Sequence, residues 1–62
     1  MNAKALLNNY QIGSYAYRVL SSKIIETNRI DKSHTLVVWS NLTMLDINLL
    51  KRVVKNLEIV EE

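Results

Sequence analysis

A single glycine, Gly13, and no proline punctuate the 62 residues of this chain. Tight backbone reversals draw on glycine for positive φ and on proline for a preset φ. An all-β chain needs several such corners, so their scarcity points to helices joined at Asn- and Ser-marked corners. Length narrows the choice further. A chain of 62 residues builds one small core near the lower limit for independent folding, and no cysteine is present to staple it. The expectation is one domain over residues 1–62 whose core is completed by a second copy, a homodimer.

Helical spacing can be followed along most of the chain. From Asn2 to Tyr10, Ala3, Leu6, Leu7 and Tyr10 fall on one helical side. Gly13 offers a helix end and Ser14 the N-cap of the next helix. Between Tyr15 and Thr27, Ala16, Leu20 and Ile24 recur every fourth residue with Val19 beside them, and Asn28 offers a left-handed corner. The stretch SHTLVVWSN, Ser33 to Asn41, holds a four-residue apolar run that suits helix or strand. Asp31 and Ser33 as N-caps and Asn41 as a left-handed corner favour a short helix. Trp39, among Val37 and Val38, reads as a core anchor. Tyr10, Tyr15 and Tyr17 fit helix packing with their hydroxyls at the surface.

The clearest signal is LTMLDINLLKRVVKNLEIVEE, Leu42 to Glu62. Thr43 and Asp46 form a capping box with Asp in the usual Glu position, and Asp46 suits the positive end of the helix dipole. A helix over residues 43–57 places Ile47, Leu49, Leu50, Val53, Val54 and Leu57 on one arc. Asn48, Lys51, Arg52 and Lys55 lie on the other. LEIV then suits a short strand.

Residues 1–57 hold all eight Lys and Arg against three acids, Glu26, Asp31 and Asp46, for a net charge of +5. Such a body permits binding to phosphates without requiring it. Catalysis finds no support. Ser21, Ser22 and Ser33 have no matched base and acid, and no glycine-rich phosphate loop exists. His34 stands alone, without metal-ligand spacing. The expectation is therefore no enzyme, no metal, no cofactor and no small-molecule ligand. No apolar run approaches the roughly 18 residues of a membrane span, and the N-terminus lacks signal-peptide character. A cytoplasmic protein without a membrane partner is expected.

Anchor spacing over about residues 18–62 resembles the winged helix–turn–helix DNA-binding domains of transcriptional regulators. Asn28-Arg29-Ile30 stands where those domains have a Gly-Arg-Ile-like corner. Leu36 stands at the apolar anchor of the following short helix. Asn41, Leu42 and Thr43 occupy the tight turn, and Ile47, Leu50 and Val54 the recognition helix. Glu58-Ile59-Val60-Glu61 stands at the start of a wing. The sequence departs from the pattern in a longer Ile30–Leu36 gap, in Glu58 where glycine is usual, and in a wing cut short.

The resemblance implies a mainly α fold. It would be a compact helix–turn–helix bundle of three to four helices with a short C-terminal strand, a truncated wing. It implies a sequence-specific DNA-binding protein, a regulator of transcription, with helix 43–57 in the major groove of double-stranded DNA. Thr43, Met44, Asn48 and Arg52 would then face bases, with Asn48 suited to adenine and Arg52 to guanine. Lys51, Lys55, Arg29 and Lys32 would meet phosphates. Leu6, Leu7 and Tyr10 of the N-terminal helix would form the dimer contact. Two other readings stand beside this one. The breadth of the apolar arc at Leu45 and Leu49 suits a protein-interaction or oligomerisation adaptor. Taking Thr35–Trp39 and Leu57–Val60 as strands gives a small α/β RNA-binding protein.

Overall fold

Alternation, not helical spacing, governs the first segment. In the computed structural model, which describes residues 1–60, Ala3, Ala5 and Leu7 are buried and Lys4 and Leu6 turn the other way. This period of two makes β1, Asn2–Asn8, a strand where a helix was expected. A four-residue helix α1, Asn9–Ile12, follows, then α2, Tyr15–Val19, and a 3-10 turn at Ser21–Lys23. The chain returns as β2, Ile24–Arg29, and β3, His34–Trp39. Helix α3, Met44–Val53, and a short β4, Glu58–Val60, complete it.

The four strands form one sheet in the order β2-β3-β1-β4, with every neighbouring pair antiparallel. The connectivity β-α-β-β-α-β in that order is the split β-α-β, or ferredoxin-like, topology. The expected mainly α helix–turn–helix bundle is thereby overturned. The stretch Ser33 to Asn41, expected to hold the short helix before the recognition helix, instead contains central strand β3. The expected helix from Tyr15 ends at Val19, and Asn28 sits within β2 instead of at a left-handed corner. The strand reading of Thr35–Trp39 and Leu57–Val60 describes β3 and β4 more closely. Of the expected wing residues, Glu61 lies outside the described residues.

The core forms between one sheet face and the helices. Trp39, Leu7, Leu50 and Val37 are its largest fully buried side chains, each contributing about 1.5–3 kcal/mol by burial. Leu20, Leu42, Ile47 and Val54 join them. In the sheet, Ala3 lies opposite Trp39 and Ala5 opposite Val37, so small residues make room for large ones. The indole N–H of Trp39 is buried with no hydrogen-bond partner among the described residues, a cost of about 1–3 kcal/mol. Leu7 is 1 % exposed. It is committed to its own core, which removes it from the expected dimer contact. The opposite sheet face carries Leu6, Leu36 and Val38 and has no covering layer within the described residues.

Short polar side chains, not glycine, make the corners of the sheet. Asp31 Oδ1 accepts from the backbone N–H of Ser33 at 2.7 Å and of His34 at 2.8 Å, closing the β2–β3 hairpin. Asn41 takes the left-handed conformation at φ 57°, as expected of it. Gly13, by contrast, sits at φ −85°, which any residue adopts.

Candidate nucleic-acid interface

Chain direction sorts the charged residues into two ends. β3 runs from His34 to Trp39, and α3 returns antiparallel to it from Thr43 to Val53. The start of α3 therefore lies at the Trp39 end of the sheet, and its last turn at the His34 end. The β2–β3 hairpin tip lies at the His34 end too, and so does α1, which leaves β1 after Asn8, the residue opposite His34.

At the Trp39 end, charge is consumed in folding. Thr43 Oγ1 accepts from Asp46 N–H at 3.2 Å, and Asp46 Oδ2 accepts from Thr43 N–H at 3.0 Å. The same carboxylate oxygen accepts from Lys23 Nζ at 2.6 Å, tying the 3-10 turn to α3. The Lys23 ammonium, then the Thr43 amide, hold the Asp46 carboxyl below the usual aspartate range. This cap was legible in the sequence. Its consequence is that Thr43 and Met44, expected to contact bases, stand far along α3 from the basic residues.

At the His34 end, the cations stand outside ion pairs among the described residues, although Arg29 Nε donates to the Asp31 carbonyl at 3.4 Å. Lys51 and Arg52 occupy the last turn of α3, Lys55 lies beyond the helix, and Arg29 and Lys32 lie at the hairpin. All five are exposed, and none forms an ion pair among the described residues. Of the other three cations, Lys4 pairs with Glu58 at 3.9 Å, Lys23 pairs with Asp46, and Arg18 stands on α2. Asp31 is the acid of this end. Its carboxyl is held low by the Ser33 amide and then by His34, whose Nδ1 lies 3.2 Å away. Helix α3 stops at Val54, which is extended at φ −112° and ψ 117°. Lys55 is thus off the helical face on which it was expected, while Asn48 remains exposed on that face.

An open cleft of about 520 Å³ adjoins Lys55 and is lined by Leu6, Asn8, Gln11, His34, Val53 and Asn56 as well. One local device shapes it. Asn8 Oδ1 accepts from Gln11 N–H at 2.9 Å, and Gln11 Oε1 accepts from Asn8 N–H at 2.8 Å, a capping box that starts α1. Gln11 Nε2 then donates to the Val53 carbonyl at 3.0 Å, joining α1 to the end of α3. This brings Tyr10, 91 % exposed, to the basic end. Tyr10 was expected in a dimer helix and Gln11 was overlooked. The Asn8-x-x-Gln11 spacing was the signal that could have placed both.

Among the described residues no group of His, Asp and Glu is placed to hold a metal ion. No helix among them is long and apolar enough to cross a membrane. The serines near α2 serve local structure: Ser14 Oγ donates to Gln11 O at 2.6 Å, and Ser21 Oγ to Arg18 O at 2.9 Å. No family model, no curated protein and no solved structure matches this chain.

Proposed function

We propose that this is a small nucleic-acid-binding protein that holds the phosphate backbone at its basic end. The observation that carries the reading is the gathering of Arg29, Lys32, Lys51, Arg52 and Lys55, from the β2–β3 hairpin, the end of α3 and the loop after it, without a described ion-pair partner. Cations drawn from one helix alone would be an ordinary solvated face. Cations converging from a hairpin tip, a helix end and a loop form a surface that neighbouring phosphates can bridge.

The mode differs from a helix–turn–helix. Helix α3 follows a strand and packs Ile47 and Leu50 into its own core, so its position against DNA is not set by a preceding helix. Base stacking on the open sheet face is also disfavoured, because Leu6, Leu36 and Val38 occupy its centre and no aromatic residue is present there. Exposed Tyr10 stands on α1, at the same end of the sheet as the cations. Stacking on one unpaired base is worth about 1–3 kcal/mol, so single strands are favoured over duplex.

Fluorescence anisotropy with labelled single-stranded RNA, single-stranded DNA and duplex DNA, over a salt series, tests this reading. Binding should weaken steeply with salt for all three and be tightest for a single strand. Absence of binding to every oligonucleotide at low salt would end it. A protein-interaction module is the second reading, favoured by the uncovered Leu6, Leu36 and Val38. Leu36→Lys would abolish partner capture under that reading and leave oligonucleotide binding unchanged.

A further inference from the structure

The two edges of the sheet are unequal. β4 covers one edge with three residues, whereas β2 leaves the other edge open, in regular register from Glu26 to Arg29 beyond a bulge at Ile25. Hydrogen-bond phase shows what that edge offers. Ile30 N–H donates to His34 O at 3.0 Å, so residue 30 turns its backbone toward β3. Backbone direction alternates along an antiparallel strand. Asn28 and Glu26 therefore also face β3, and the N–H and C=O of Thr27 and Arg29 point to the open edge.

We propose that β2 is a self-association edge, on which β2 of a second copy pairs antiparallel about a two-fold axis at Thr27. Symmetry restricts the choice. Residues opposite each other in an antiparallel pair share a sheet face, so a two-fold axis must place one residue opposite itself. An axis at Glu26 sets two carboxylates together, and one at Arg29 sets two guanidiniums together. An axis at Asn28 sets Glu26 against Ile30. The axis at Thr27 sets Thr27 opposite Thr27, which exchange both outward backbone hydrogen bonds. It also sets Glu26 of each copy opposite Asn28 of the other.

That last pair is chemically matched. Within one chain Asn28 Nδ2 already donates to Glu26 Oε2 at 2.8 Å. The dimer repeats this donor–acceptor match twice across the new seam. Ile25, at the bulge where the regular ladder ends, is 61 % exposed, and the stem of Arg29 from the other copy reaches over it. Both helical layers then share one side of a continuous antiparallel sheet of eight strands, four from each copy. The seam is separate from the cations at the hairpin tip and α3, with the exception of Arg29.

Sedimentation equilibrium of the whole chain without nucleic acid, together with amide exchange, tests the pairing. Dimer should form with rising concentration, and the Thr27 amide should become protected as it does. Asn28→Glu faces Glu26 with a carboxylate twice per dimer and should weaken association by about tenfold. Adding Glu26→Lys to that variant restores opposite charges across the seam and should restore the dimer. The restoration separates pairing from a folding defect. A chain that stays monomeric at every concentration overturns the proposal. So does a dimer whose Thr27 amide exchanges freely and whose strength neither variant changes.

Discussion

The two ends of this molecule use charge for different purposes. At the Trp39 end, Lys23, Asp46 and Thr43 satisfy one another within 3.2 Å, and helix α3 starts there because they do. At the His34 end, five exposed cations come together with Asp31, which is occupied by the hairpin backbone and His34. A paired charge near a helix start serves stability. Unpaired cations gathered from different elements add little to stability and leave a field outside the protein. Total charge does not show this division; the direction of the chain through the sheet does.

The contrast can be broken most sharply at the basic end. Lys32→Ala, Arg52→Ala and Lys55→Ala combined should lower oligonucleotide affinity at low salt by more than about tenfold. The slope of log affinity against log salt should fall by about 2 for a single strand. Thermal stability should change by less than about 1 kcal/mol, because the affected groups are exposed. A triple variant that binds as tightly as the parent would reduce the cations to a solvated surface.

The capped end should give the opposite result. Asp46→Ala removes the Lys23 ion pair and half of the capping box, at a cost of about 1–2 kcal/mol. In a domain this small that lowers the melting temperature by roughly 5–10 °C, with affinity unchanged. Acid sharpens the same contrast. The folded-state pKa values of Asp46 and Asp31 are both depressed below the ordinary 3.8. Their stabilisation is thus complete above that value and is lost as pH falls through the lower folded ones. Denaturation of Asp46→Asn should show a shallower loss of stability below pH 3.8 than the parent. The smallest effect belongs to Gly13. Its φ of −85° suits any residue, and an added Cβ meets Tyr10 O at an ordinary 3.7 Å. Gly13→Ala should stabilise by about 0.5 kcal/mol through the unfolded chain and leave both ends as they are.

Local chemistry was legible in the sequence where side chains bond their own backbone. The start of α3 at Thr43 and the Ser14 cap follow from such bonds, and the Asn41 corner from its tolerance of positive φ. Topology was not. In β1 the buried period of two runs through Ala3, Ala5 and Leu7, but Leu6 on the open face interrupts it and restores a helical look. In β3, Leu36 and Val38 face outward and Val37 and Trp39 inward, so apolar residues on both faces read as an unbroken run. The shortage of glycine misled for a related reason. Asp31 and Asn41 supply by side-chain bonding and tolerance of positive φ what glycine supplies elsewhere. The basic residues were found, but their shared end was not, since it depends on α3 running antiparallel to β3.

Trp39 is the one tryptophan of the chain, and its indole is fully enclosed and without a hydrogen-bond partner among the described residues. An indole so placed emits at the blue end of its range and shifts to the red once water reaches it. Its light therefore reports on the core, at the opposite end of β3 from the cations of the hairpin and on the helix-covered face of the sheet. Unfolding would register in that colour, whereas ligand capture or strand pairing would leave it nearly constant. The protein carries a built-in optical control that distinguishes a variant that has lost its partner from one that has lost its fold.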